Sequence, residues 1–160
     1  MSDQPAVKPI PDGYHTITPY IILDRAAEAL EFYKRAFGAV EKFRMEMGEG
    51  KIGHAEFTIG DSAVMVADEH PELGALSAKT VGGSPVFLHL YVEDSDTLFA
   101  QAVDAGAEVI RPLADQFYGD RSGTVRDPYG IQWSISTHVE DVPPDELERR
   151  QQAMGKGEGC

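Results

Sequence analysis

The stretch Val86–Gly106, VFLHLYVEDSDTLFAQAVDAG, decides the fold, because it repeats an order already met at Tyr14–Gly38. Val86–Val92 is a strand-like run. A helical pattern follows, with Leu98, Ala102 and Ala105 on one face, Asp94 or Ser95 as cap and Gly106 as stop. Earlier in the chain, Tyr14–Leu23 (YHTITPYIIL) reads as a strand. Ala26, Ala29, Leu30, Tyr33 and Phe37 then fall at i, i+3, i+4, i+7 and i+11, with Asp24 as the expected N-cap and Gly38 as the C′ residue.

Each helix is followed by three more strand candidates. In the first copy these are Val40–Met45, Lys51–Ile59 and Ser62–Ala67, broken by Gly48-Glu49-Gly50 and Gly60-Asp61. In the second they are Glu108–Arg111, Gly123–Arg126 and Ile131–Thr137, with Asp127-Pro128-Tyr129-Gly130 as the turn. The expected fold class is therefore α+β, two βαβββ modules, since strands outnumber helices and run consecutively. The expected organisation is a flexible leader over 1–13 and one domain over 14–139. Within it, module one is 14–68, a mobile Gly/Ser/Pro-rich linker is 69–85 and module two is 86–139. A C-terminal helix and frayed tail occupy 140–160, with Pro143-Pro144 starting the helix and Arg149 and Arg150 suiting its later turns.

Composition narrows the function classes. Basic residues number 14 and acidic ones 27, a formal charge of −13. Such a surface repels phosphate backbones and anionic lipid, so neither nucleic acid nor membrane is an expected partner. No apolar run reaches the roughly 20 residues of a membrane span. The N-terminus lacks the basic and apolar regions of a signal peptide. The single cysteine, Cys160, excludes an internal disulfide and a cysteine metal site, so a cytoplasmic location is expected.

Four segments carry a resemblance: ITPYIIL (Ile17–Leu23), GKIGHAEFTIGDSAVMVADE (Gly50–Glu69), FLHLYVED (Phe87–Asp94) and FYGDRSGTVRDPYGIQWSISTHVED (Phe117–Asp141). Together with FYKRAFG (Phe32–Gly38) in the first helix, they resemble the vicinal oxygen chelate superfamily of glyoxalases, bleomycin resistance proteins and extradiol dioxygenases, and within it the PhnB-like branch. The resemblance implies cup-shaped mixed sheets, a small-molecule cavity and a homodimer. In metal-using members it also implies a divalent ion held by four residues, on the first and last strand of each module.

Counted onto this chain, those four positions fall on Ile17, Met65, Phe87 and Ser134, none a useful ligand for such an ion. No cofactor is therefore expected. His15 and His89 remain as weak metal candidates, each two residues from a ligand position and hence on the same face. His54 and Glu56 share a strand face. They read either as an acid–base pair or as a solvent-facing polar edge. Tyr118 and Arg121 fall in a loop ahead of the Gly123 strand, as ligand contacts or as a structural clamp. Trp133 falls with Ile131 and Ile135 in the sheet–helix core. The expected ligand-binding surface comprises Ile17, Met65, Phe87, His89, Tyr91, Tyr118, Arg121 and Ser134, apolar with a few polar handles. Two functions follow. One is a metal-free small-molecule binder. The other is a lyase or dioxygenase-type enzyme using a displaced metal site or His54/Glu56 acid–base chemistry.

Overall fold

The structure, a computed structural model, describes residues 5–155. Cys160 and the ends of the expected leader and tail lie outside the described residues. The chain separates into two compact units, Met1–Gly83 and Ser84–Cys160, each with its own sheet.

In the first unit, β1 (Tyr20–Leu23), α1 (Ala26–Phe37), β2 (Val40–Gly48), β3 (Lys51–Ile59) and β4 (Ser62–Asp68) follow in order. The sheet order is β1-β4-β3-β2, with β1 and β4 parallel and the other pairs antiparallel. α1 forms where the 3.6-residue apolar spacing placed it, and it buries Ala26, Ala29, Leu30, Phe32, Tyr33, Ala36 and Phe37. It stops at Gly38, whose left-handed φ of 67° lets the next amides cap Lys34 and Tyr33. Period-two alternation turns Ala55 and Phe57 of β3 toward α1, with the Tyr33 and Phe57 rings stacked at 5.3 Å. His54 and Glu56 therefore look to the other face. Register adds Met65, opposite both Glu56 and Tyr20, and the β2 residues Phe43 and Met45, opposite Glu56 and His54.

The second unit repeats the plan: β5 (Phe87–Tyr91), α3 (Ser95–Ala105), β6 (Glu108–Asp115), β7 (Asp120–Arg126) and β8 (Gln132–His138), in sheet order β5-β8-β7-β6. Trp133 and Ile135 are buried on one face, as parity indicated. The Trp133 indole donates to Asp127 Oδ2 at 2.9 Å, and Asp127 Oδ1 also accepts from the Tyr129 and Ile131 amides, so one carboxylate holds the β7–β8 turn and the core tryptophan together. The fold is α+β, two four-stranded mixed sheets with helices.

Several local expectations change. β1 begins at Tyr20, not Tyr14. The residues before it pair with no strand and are interrupted by a turn at Asp12–Gly13 and a bend at Thr16; the Pro19 carbonyl makes the first backbone tie to the sheet, to the Met65 amide. Asp24 does not cap α1. Asp68, at the far end of β4, accepts instead from the Ala26 amide at 2.9 Å and from the Ile52 amide at 2.7 Å. Module two uses the same device, with Thr137 Oγ1 accepting from the Ser95 amide, and both pairs are separated by 42 residues. The segment 69–85, read as the linker, holds a 3₁₀ turn (Pro71–Leu73) and a helical turn, α2 (Ala78–Val81), that the sequence reading did not place. Fully buried Ser77 caps α2 and Glu69 binds the Ser77 amide and Thr80 hydroxyl, so polar side chains tie this segment down. Asp120 and Arg121 belong to β7 rather than to a loop, because β8 continues far enough to pair Asp120 with His138. The C-terminal helix, α4 (Pro144–Gly155), is anchored by Arg150, which pairs with Glu140 and donates to the Phe117 carbonyl.

Candidate functional site

On the face of the first sheet turned away from α1, four side chains join into one chain of hydrogen bonds. His54 Nε2 lies 3.0 Å from Glu56 Oε1, and His54 Nδ1 lies 2.8 Å from the Tyr20 hydroxyl. The Tyr14 hydroxyl donates to Glu56 Oε2. An ionised carboxylate only accepts, so Nε2 carries the hydrogen toward Glu56 and, in the neutral ring, Nδ1 accepts from Tyr20. The bonds from His54 and then Tyr14 hold the Glu56 carboxyl below the ordinary carboxylate range, against the opposing pull of burial. The same carboxylate raises Tyr14 through its hydrogen bond. Burial first, and then the Glu56 charge, raise Tyr20. The His54 and Glu56 side chains are 26% and 18% exposed.

A cavity of about 560 Å³ opens beside this chain. Its walls are Pro9, Ile10, Pro11, Tyr14, His15, Thr16 and Thr18 from the segment before β1, with Glu56 and Met65 from the sheet. That segment turns at Asp12–Gly13, where the Tyr14 amide donates to the Pro11 carbonyl, and the Tyr14–Glu56 bond fixes it to the sheet. The result is an apolar wall with one carboxylate. Met65 lies on this wall. Ile17 does not: it is 83% exposed and absent from the cavity wall. Register explains the displacement, because Met65 faces Tyr20 and Ser134 faces His89. Equal steps back from those residues reach Thr18 and Phe87, so Thr18 is the counterpart of Phe87.

In the second unit, Phe87, His89 and Tyr91 are exposed along β5, and the His89 and Tyr91 rings stand 4.8 Å apart. The Tyr91 hydroxyl donates to buried Asp120 at 2.8 Å, and Asp120 also pairs with His138 Nδ1 at 2.8 Å. His138 Nε2 reaches Asp141 at 2.7 Å. Burial pushes the Asp120 carboxyl up, but the bonds from His138 and Tyr91 outweigh it and leave it lowered. Asp141, then Asp120, raise His138, and Asp120 raises Tyr91. Below this cluster runs a buried hydroxyl ladder, Ser122–Ser136 at 2.6 Å and Thr124–Ser134 at 3.2 Å. Ser134 is therefore engaged with Thr124. Tyr118 lies in the turn before β7, edge-on to Phe117. Arg121 pairs with Asp96 of α3 and Asp115 of β6.

The inferred metal-ligand positions, with Thr18 standing where Ile17 was counted, carry a hydroxyl, a thioether, a phenyl ring and an engaged hydroxyl. That donor set does not fit a divalent ion, which needs about three nitrogen or oxygen ligands. No group of three or more His, Cys, Asp or Glu side chains converges among the described residues. His15 lies on the cavity wall and His89 on β5.

Two parts of these clusters escaped the sequence reading. Tyr14 looks like a strand residue, and nothing local links it to Glu56, 42 residues away. Asp120 and His138 sit at strand ends, and only the β7–β8 register joins them. The recurrence of β5 and β8 as counterparts of β1 and β4 was the one available signal.

Comparison with known proteins agrees with this fold. An uncharacterized protein of Mycobacterium tuberculosis, Rv0887c, is 39% identical over 144 residues, 88% of this chain and 85% of that protein. An uncharacterized protein of Arabidopsis thaliana, At5g48480, is 30% identical over 116 residues, 68% of this chain and 69% of that protein. Its solved structure superposes with a TM-score of 0.61 at 28% identity, covering 76% of this chain and 97% of that one. TioX from Micromonospora shares the fold, with a TM-score of 0.62 at 24% identity over 81% of this chain and all of that one (100%). The family model that matches residues 14–135 spans both units. By that match, this chain belongs to the Glyoxalase/Bleomycin resistance protein/Dioxygenase superfamily.

Proposed function

We propose that this protein binds a small organic molecule in the cavity walled by Pro9–Pro11, Tyr14, Glu56 and Met65. The observation that carries the reading is the cavity: about 560 Å³ with a mostly apolar wall and one oriented carboxylate. Small-molecule sites have this size and this mixture of apolar body and few polar groups. The binding needs no metal, in keeping with the donor set at Thr18, Met65, Phe87 and Ser134. Phe87, His89 and Tyr91, with Tyr118, are a second exposed surface for ligand contact.

The test is a ligand-shift screen of planar aromatic compounds and thiol conjugates, with binding mapped by amide resonances of Thr16, Thr18 and Met65. Binding that shifts these residues supports the reading, and a screen without any such shift contradicts it. Metal analysis of untagged protein tests the metal-free part. Stoichiometric metal lost on His89→Ala would overturn it.

A second reading is an enzyme of the lyase or dioxygenase sort. The Tyr20–His54–Glu56 chain favours it, because a carboxylate behind an imidazole orients the ring for proton transfer. Turnover of a screen hit that His54→Gln abolishes, with binding retained, would establish this reading over simple sequestration.

We also propose a homodimer in the cytoplasm, of the PhnB-like branch. The branch assignment rests on Phe117–Asp141. Edge strand β2 carries exposed Val40, Phe43, Met45 and Met47, a surface that pairing would cover. Light scattering should give twice the chain mass of 17.5 kDa, and a mass of one chain at micromolar concentration contradicts the dimer. No helix among the described residues is long and apolar enough to cross a membrane.

A further inference from the structure

The cavity has one charged wall group of fixed sign. Glu56 reaches it with a side chain that is 18% exposed, and neither lysine nor arginine lines the wall. The remaining titratable groups on the wall are Tyr14 and His15. Each Glu56 oxygen accepts one bond, from His54 or from Tyr14, and a carboxylate oxygen has capacity for a second. Both protein donors fix the carboxylate in place, so it meets a ligand already oriented.

These facts rank ligands by charge. An anion meets Glu56 with no wall cation to offset the repulsion. A neutral apolar molecule removes water from the carboxylate and returns too few hydrogen bonds, which is costly. A cation supplies the missing donors as charge-assisted bonds and also meets the ring of Tyr14. The overall charge of −13 draws the same ligands toward the protein from a distance. The apolar wall of Pro9, Ile10, Pro11 and Met65 asks for a flat hydrocarbon body beside the charge.

Resting on the reading of this cavity as a small-molecule site, we infer that its ligand is an organic cation, an amidinium or ammonium group carried on a planar apolar body, with Glu56 as the recognising residue. Tyr14 and His54 are positioning residues that hold Glu56.

Three probes of one shape test this: naphthalene-2-carboxamidine, naphthalene-2-carboxamide and naphthalene-2-carboxylate, titrated into the full chain and followed by amide resonances of Thr16, Thr18 and Met65. The amidine should bind about tenfold or more tighter than the amide, as expected when a charge-assisted bond replaces a neutral one, and the carboxylate weakest of all. Glu56→Gln should erase the amidine preference, while Tyr14→Phe, which keeps the carboxylate and the ring but loses the bond that positions Glu56, should reduce it by less than Glu56→Gln does. Equal affinity of amidine and amide in the unmodified protein overturns the inference, whether or not either variant folds. A preference that survives Glu56→Gln in a folded protein overturns it too, as the mark of diffuse surface charge. In either case, binding at the same resonances leaves the small-molecule reading standing. If no member of the trio shifts these resonances, the inference fails, and the broader screen decides the small-molecule reading separately.

Discussion

His54 and Glu56, two residues apart on β3, bond to each other across one sheet face, with Nε2 3.0 Å from Oε1. Here Tyr20 takes the far nitrogen of the ring and Tyr14 takes the far oxygen of the carboxylate, so both side chains are held from outside the pair. The first expectation concerns the Glu56 carboxyl. His54→Ala and Tyr14→Phe should each raise its pKa, because each removes a bond to the charged form. Carbon-13 titration of the glutamate carboxyls reads this directly. The folded value lies below the unfolded one, so the stability Glu56 contributes is present above the unfolded value, for which the ordinary 4.5 serves, and is lost as pH falls through the folded value. Wild type should therefore lose more stability than Glu56→Gln on acidification through that range.

The pH dependence of His138 runs the other way. Asp141 and Asp120 raise its pKa above the ordinary 6.5. Its contribution is present in full below the unfolded value and disappears as pH rises through the folded one. The melting-temperature difference between wild type and His138→Gln should be larger at about pH 6 than at about pH 9, the pH values bracketing an imidazole titration. An equal difference at both pH values contradicts the assignment.

Asp127 is the polar anchor of the second unit. It is 3% exposed and accepts from two amides and the Trp133 indole. Asp127→Ala leaves these buried donors without their carboxylate partner, so urea denaturation should show a loss of about 3 kcal/mol or more. Trp133→Phe removes one of the three bonds and some packing, and should cost about 1–3 kcal/mol.

Gly123 lies where β7 passes beneath Phe99. An added Cβ would come within 2.7 Å of the Phe99 ring and 2.9 Å of the Leu113 backbone. Backbone cannot give way as a flexible side chain can, so Gly123→Ala should destabilise by about 1–3 kcal/mol in the same assay. A variant as stable as wild type contradicts the close approach.

The sequence was most legible where the information is local. Ala26 to Phe37 place α1 by spacing alone, and Trp133 falls in the core by parity. The repeat identifies the topology because two copies of one pattern support each other. What stayed hidden is non-local. Tyr14–Thr18 alternates like a strand, yet strand membership needs a partner and none is there. Asp24 is a sound cap by type, but Asp68 arrives from the end of β4 and takes the Ala26 amide. Arg121 reads equally as a ligand group and as a clamp until Asp96 and Asp115 are found beside it. The cavity was hidden for the same reason. The sequence marks Glu56 and Met65 as facing one way, but a polar leader gives no sign that Pro9–Thr18 lies over them.

The central claim is that the space between Tyr14, Glu56 and Met65 is where a ligand sits. Its most direct measurement is the intermolecular nuclear Overhauser effect between naphthalene-2-carboxamidine and the Met65 methyl group in the full chain. The account expects cross-peaks from the naphthyl protons to Met65 and Ile10, lost on Glu56→Gln at the same probe concentration. Cross-peaks to β5 residues such as Phe87 and Tyr91, with none to Met65, would contradict it.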